Sequence, residues 1–225
     1  MSTHTQTIGR AGKYSRRMQK SSLLQASRWG AAVLLAVVVG LYLYAHHAYY
    51  GALTAALVAL PFWLKCRKHL NRAGMQGVGA KSERLVARTL KRSDAYYVLN
   101  NATIPGAPGG DADHTFLCPR GIAIIETKSG GGRIRLTRDG RITTGKGRTI
   151  PGDAIAQVRA QASALSRMTG LPVTPVVCIP YMSNRSFHAR GVTVCSARAL
   201  RGVMAAMGGT LTEAQAARWA SRLRG

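Results

Sequence analysis

Between residues 29 and 64 the chain carries no Asp, Glu, Lys or Arg. At about 1.5 Å of rise per residue, such a run is too long for one comfortable helical crossing of a bilayer core roughly 30 Å thick. It divides at His46-His47-Ala48-Tyr49-Tyr50-Gly51. Residues 30–45 are rich in Val, Leu and Ala, and residues 52–64 contain Pro61. The pattern predicts two short transmembrane helices joined by a tight turn. Arg16, Arg17, Lys20 and Arg28 precede the run, and Lys65, Arg67, Lys68 and Arg72 follow it, while the central turn carries no Lys or Arg. The positive-inside rule then places both termini in the cytoplasm, as for a protein of a bacterial inner membrane. Trp29, Tyr42, Tyr44, Tyr49, Tyr50 and Trp63 fall where interfacial aromatics are expected. Two alternatives stay open. One is a single long tilted span, which would put the N-terminal segment outside. The other is a buried helical hairpin of a soluble domain.

The spacing divides the chain into a basic N-terminal arm (1–28), two transmembrane helices (29–64), a basic linker (65–77) and a folded domain (78–225). The arm is expected to be disordered or to lie on a surface. Lys and Arg number 32 against 8 Asp and Glu, a formal charge of +24. So basic a chain is expected to meet polyanions, with nucleic acid first and an anionic membrane surface second. Cys66, Cys118, Cys178 and Cys195 are scattered without a C-x-x-C pair. Zinc-site spacing and a small disulfide framework are therefore absent, and the last three read as buried thiols in strands.

Within the last segment, residues 81–92 show helical spacing of Leu85, Val86 and Leu90. Residues 96–99 predict a strand and 101–110 a Pro/Gly loop. Residues 113–118 and 121–128 predict a hairpin about Pro119-Arg120, and 133–143 a second one turning at Asp139-Gly140. A helix is expected over 153–168, capped by Asp153, followed by strands at 173–179 and 191–195. Helices over 197–207 and 211–223 close the chain, the last with a capping box from Thr210 and Glu213. The fold class is α/β: helix, three strands, helix, strand.

The chemistry concentrates where an apolar strand, Ile122-Ala123-Ile124-Ile125, runs into Glu126-Thr127-Lys128. The two-residue period points Glu126 and Lys128 to one face. A hairpin register about Pro119-Arg120 brings Asp113 near Glu126. Two converging carboxylates repel each other, and a divalent cation resolves the repulsion. Carboxylate ligation suits Mg²⁺ or Mn²⁺ rather than zinc. Lys128 is placed to polarise an attacking water or to stabilise phosphoryl oxygens. Glu83, on the first domain helix, can supply a further carboxylate. The plain alternative is an exposed ion pair at a strand end.

These residues resemble the NERD (nuclease-related domain) family of the PD-(D/E)xK, restriction-endonuclease-like superfamily. The resemblance runs from about Gly77 to Met207. It rests on Ser82-Glu83-Arg84-Leu85-Val86, on Asp113-His114 opening a strand, on Gly121 through Glu126-Thr127-Lys128, and on Gln157. One departure is Ser82, where the family usually has glycine before the helix glutamate. The resemblance implies a restriction-endonuclease-like core and metal-dependent phosphodiester hydrolysis. It maps the catalytic set onto Glu83, Asp113, Glu126, Lys128 and Gln157, with Asp113 and Glu126 as metal ligands.

Other residues have plainer roles. Asp111 is expected to stabilise the Gly109-Gly110 turn, with a place on the face of Asp113 as the alternative. His114 should point away from Asp113 and pack. His188 is read in a loop with Arg185 and Arg190, contacting phosphate or solvent. Gly130-Gly131-Gly132 reads as a flexible connection and lacks the Lys-Ser/Thr ending of a phosphate loop. Arg133, Arg135, Arg138, Arg141, Lys146 and Arg148 form a basic cluster suited to a nucleic-acid backbone. The expected function is a membrane-anchored, Mg²⁺- or Mn²⁺-dependent nuclease acting on DNA ahead of RNA. No small-molecule cofactor is expected. The alternatives are a non-catalytic membrane-tethered nucleic-acid-binding protein and a scaffold held to lipid by charge alone.

Overall fold

The computed structural model describes residues 5–46, 49–108, 111–137, 141–145, 147, 149–150, 152–183 and 186–224. Several expected features lie outside the described residues: the Asp139-Gly140 turn, the Gly109-Gly110 turn, Arg185, and His47 and Ala48 of the turn in the apolar run. The chain separates into two compact units, one made of Lys13–Ala80 and the other of Met1–Gly12 with Lys81–Gly225.

The first of these is a helical hairpin. Helix α1 spans Lys13–Ala45, and α2 spans Tyr49–Lys91, its last turns from Lys81 belonging to the other unit. The basic stretch before the apolar run, expected to be disordered or surface-lying, is instead helical from Lys13. The expected linker at 65–77, with Gly74 and Gly77, is likewise continuous helix. Inter-helix contacts explain this. The Ser22 hydroxyl donates to Gln76 Oε1 at 3.0 Å, and the Cys66 thiol donates to the Ala26 carbonyl at 3.3 Å. The Trp29 and Phe62 rings stack with centroids 5.7 Å apart, and Lys65 Nζ lies 4.4 Å from the Trp29 ring centroid. Both helices are long and apolar enough to cross a membrane by length and composition. Their large apolar side chains, among them Leu34, Leu35, Leu53 and Leu57, are exposed.

The other unit is a mixed α/β fold built on a seven-stranded sheet. Its strands are β1 (Gln6–Ile8), β2 (Tyr97–Ala102), β3 (Ala112–Cys118), β4 (Gly121–Thr127), β8 (Val173–Cys178), β10 (Ser186–Ala189) and β11 (Val192–Cys195). The short strands β5 (Gly131–Gly132), β6 (Ile134–Leu136), β7 (Ile142–Thr144) and β9 (Tyr181–Met182) lie outside that sheet. The spatial order is β1-β2-β3-β4-β8-β11-β10. Strands β2, β3 and β4 are antiparallel neighbours, whereas β1 on β2, β4 on β8 and β8 on β11 are parallel. Helix α3 (Ala154–Thr169) makes the crossover from β4 to β8.

Strand β4 is central, and all seven of its residues are buried. That is why it reads as an unbroken apolar run: helices cover both faces of the sheet. One core gathers Leu117, Ile122 and Ile124 with Ile155, Val158 and Leu165 of α3 and Ala216 of α5 (Glu213–Arg222). The opposite core gathers Phe116, Ala123 and Ile125 with Val86 and Leu90 of α2 and Leu200 and Met204 of α4 (Ala197–Ala205). Cys118, Cys178 and Cys195 are buried free thiols, as expected from their apolar settings.

Local signals set most boundaries. Asp153 caps α3 by accepting from the Ala156 N–H at 2.9 Å, and Gly170 closes it in the left-handed region at φ 69°. The Pro119-Arg120 turn holds, with Cys118 paired to Gly121 at φ 113°. Three expectations shift. The β2 strand extends to Ala102, two residues into the expected loop, because Ala102 pairs with Ala112. The last capping box is made by Thr212 and Gln215, not Thr210 and Glu213. Leu211 and Gly209 donate instead to the carbonyls of Pro119 and Arg120, which delays the helix start. Gly131 and Gly132 are not a loose connection but pair in parallel with Tyr181 and Met182.

Ile124 is fully buried at the middle of the sheet. Ile124→Ala should destabilise the chain by about 2–5 kcal/mol and Ile124→Val by about 0.5–1.5 kcal/mol. Chemical denaturation checks this, and equal midpoints for native and Ala variants would contradict the central place of β4.

Candidate active site

The antiparallel register of β3 and β4 pairs His114 with Ile125. Continued one step, that register sets Asp113 opposite Glu126, and Glu126 is the charge that acts most strongly on Asp113. Odd positions of β3 and even positions of β4 supply Leu117, Ile122 and Ile124 to the α3-side core, so the two carboxylates stand on that same face. Helix α3 presents Gln157 there. Its amide donates to Glu126 Oε2 at 3.1 Å. Lys128 Nζ binds Glu126 Oε1 at 2.7 Å, and the Lys128 N–H donates to the Cys178 carbonyl at 3.0 Å, which fixes the backbone just past β4. The Thr127 N–H donates to Asp113 Oδ2 at 2.7 Å.

Glu126 is 3% exposed, so its carboxyl answers to protein partners rather than to solvent. Burial pushes the Asp113 carboxyl well above the usual carboxylate range. The facing Glu126 and the nearby Glu83 add to the rise, while the Thr127 N–H and the Lys128 ammonium oppose it. Glu126 is also raised, first by burial and then by Glu83, against the pull of Lys128 and Gln157. The electrostatic reach of Glu83 to both carboxylates places it with the site. Its own Oε2 accepts from the Gly12 N–H at 2.8 Å.

Of the five residues marked in the sequence, Asp113, Glu126, Lys128 and Gln157 come together at one end of β3 and β4, and Glu83 lies near enough for its charge to act on both carboxylates. The chemistry of the donor set suits a hard dication: two oxygen ligands whose mutual repulsion a cation would relieve, with one ammonium beside them. Among the described residues no three His, Cys, Asp or Glu side chains close a cage of their own. Mg²⁺ commonly takes one or two carboxylates and completes its shell with water and phosphate oxygens, so the set fits.

The remaining residues sort as follows. His114 is fully buried on the opposite face, its Nδ1 2.7 Å from Asn100 Oδ1, and burial lowers it to about 3. It packs as a neutral ring, as its alternation with Asp113 predicts. Asp111 accepts from the Thr103 hydroxyl at 2.9 Å and is exposed, a local turn contact. His188 is not in a loop: it lies in β10, 3.2 Å from the Thr193 hydroxyl. Arg133, Arg135 and Arg141 are exposed on the antiparallel β6–β7 pair, whose Ile134 and Ile142 are buried. Arg138, Lys146 and Arg148 lie outside the described residues.

Two contributors carry little sequence signal. The Thr127 backbone N–H has none in its side chain. Gly12 precedes the apolar run, far from the domain, and only its glycine at φ 72° hints at a turn.

The family model described as nuclease-related domain, NERD, matches residues 78–180. Over that stretch the chain is similar to the nuclease-related domain family. That family lies within the PD-(D/E)xK superfamily, and the matched stretch contains all five clustered residues. No curated protein and no solved structure matches the chain.

Both carboxyls of the facing pair hold protons more tightly in the folded chain than in the unfolded one. Their contribution to stability is therefore full below the ordinary carboxylate range and is lost as pH rises through the raised folded values. Asp113→Asn keeps an acceptor for the Thr127 N–H and removes the repulsion. In chelator, its melting temperature should match the native value in acid and exceed it at neutral pH. Parallel curves across pH would contradict the facing geometry.

Proposed function

We propose that this chain is a membrane-anchored, divalent-metal-dependent nuclease that hydrolyses phosphodiester bonds of nucleic acid, DNA before RNA. The reading rests on one observation above all: Asp113 and Glu126 face each other across β3 and β4 inside a nuclease-related domain. The proposed core is restriction-endonuclease-like, consisting of the end of α2, strands β2 to β4, α3 and β8.

Asp113 and Glu126 would hold Mg²⁺ or Mn²⁺, and the bound ion would activate water and neutralise phosphoryl charge. Lys128, kept beside Glu126 at 2.7 Å, is placed to orient the nucleophile or stabilise negative charge on the phosphate. Gln157 fixes the second oxygen of Glu126, so that carboxylate approaches the reaction already oriented. Glu83 adds negative charge that strengthens the pull on a cation. Arg133, Arg135 and Arg141 on the β6–β7 pair would follow the phosphate backbone, and the basic residues Arg138, Lys146 and Arg148 extend that sequence run.

Membrane attachment is supported by the two long apolar helices, whose apolar windows are left almost entirely exposed by the rest of the chain. A core helix of a soluble protein would be covered. We place the helices in a bacterial inner membrane, with both ends of the chain and the nuclease domain on the cytoplasmic side, because basic residues flank both outer ends. In composition the division then runs as a basic stretch (1–28), the spans (29–64), a second basic stretch (65–77) and the nuclease domain (78–225), to whose compact unit the first residues up to Gly12 also belong.

The purified full chain should nick plasmid DNA or cleave RNA with Mn²⁺ or Mg²⁺ and not in chelator. Glu126→Ala should abolish cleavage while leaving binding intact, and Lys128→Ala should lower kcat by about 10²–10³-fold. Binding without cleavage under every metal tried would favour a tether instead, and affinity for anionic vesicles alone would favour a lipid-held scaffold. Replacing Arg133, Arg135 and Arg141 by Ala should flatten the slope of log affinity against log salt by about 0.9 for each phosphate that the variant no longer neutralises. An unchanged slope would remove these residues from the interface.

A further inference from the structure

The unit that carries the site is not continuous in sequence: it unites Met1–Gly12 with Lys81–Gly225. Strand β1 adds in parallel to β2 at the sheet edge, pairing Gln6 with Tyr97, Thr7 with Val98 and Ile8 with Leu99. Ile8 packs against the α3-side core. Side chains then fasten the strand. The Thr5 hydroxyl donates to the Ser93 carbonyl at 3.2 Å. The Asn100 amide donates to the carbonyls of Ile8 at 3.2 Å and Gly9 at 3.3 Å, and Asn101, at φ 56°, donates to the Arg10 carbonyl at 3.2 Å. Asn100 is itself oriented by the buried His114, the residue next to Asp113. Gly9 sits so close that a Cβ would lie 2.5 Å from the Asn100 carbonyl oxygen. The segment ends with the Gly12 N–H on Glu83 Oε2 at 2.8 Å.

We propose that residues 5–12, ahead of the helical hairpin, are a working part of the nuclease site: they form the edge strand of its sheet and position Glu83 through the Gly12 N–H. The proposal rests on the nuclease reading and extends it to a segment lying outside the matched stretch of 78–180. The hairpin is thereby an insertion within the catalytic domain, between its edge strand and its first helix. Because residues 5–12 and 81–225 make one compact unit, both ends of the inserted segment must occupy one compartment. Only an even number of membrane crossings satisfies this, which excludes the single tilted span.

The test uses the full chain in membrane vesicles. Gln6→Cys with Tyr97→Cys, register partners, should form an intramolecular disulfide on mild oxidation, seen as faster gel migration that a thiol reverses and that either single variant lacks. Gly9→Val should undock the strand and lower kcat by about 10²-fold, as a misplaced catalytic group does, with nucleic-acid affinity unchanged. It should also shrink the rise in melting temperature that Mn²⁺ gives the native chain. A chain lacking residues 5–9 should regain cleavage when a synthetic peptide of residues 5–12 is added. Absence of the disulfide, or an unchanged kcat in Gly9→Val, would overturn the proposal. A native chain that cleaves nothing would sink the nuclease reading instead, and the cross-link would still decide whether the segment belongs to the sheet.

Discussion

Two carboxylates that would repel each other in isolation are forced together by strand register. Asp113 and Glu126 stand opposite each other because the two-residue turn at Pro119-Arg120 locks β3 to β4, and the buried Ile122–Ile125 stretch resists slippage. A slip of one residue would turn Glu126 into the α2–α4 core and bring Ile125 out toward α3. The apolar content of β4 thus specifies the electrostatics at its end. The rest of the site answers the resulting strain in charge. Lys128 and Gln157 occupy the two oxygens of Glu126, and the Thr127 N–H takes one of Asp113. Even with these partners both carboxyls stay raised, because burial outweighs what the partners contribute.

Much of this is legible from residue order because it is local. A hairpin with a two-residue turn fixes its own register, so Asp113 and Glu126 can be paired from spacing alone. Asp153 declares the start of α3 through a cap that needs only three following residues. The alternation that places His114 away from Asp113 follows from the pleat. What resists reading depends on distant partners. Strand β1 is three residues long, and its pairing with β2 spans the entire helical hairpin. Nothing in Gln6-Thr7-Ile8 distinguishes it from coil until Asn100 and Asn101 arrive to bind its carbonyls. His188 resembles loop because Arg190 and Gly191 punctuate the sequence, yet those two make the tight turn of a β10–β11 hairpin with positive φ at both positions.

The helical hairpin shows the same division between local and remote information. Its apolar run is evident from composition, but the polar stretches on either side suggest arm and linker because they carry charge and glycine. They are helical because each covers the other: Ser22 with Gln76, and Gly77 giving room to Gln19, whose amide would sit 2.8 Å from a Cβ there. Charge density argues for solvent, and pairing between the two segments overrules it.

The pairing of β1 with β2 also sets an order of assembly. Residue 6 leaves the ribosome some ninety residues before its partner at 97. In the interval the chain makes the two long apolar helices that separate them. The edge of the sheet can close only afterwards, across a loop whose ends the paired helices bring together rather than chance diffusion. A chain not yet grown to Tyr97 has no strand for β1 to join, so the edge of the sheet waits on synthesis of the whole hairpin.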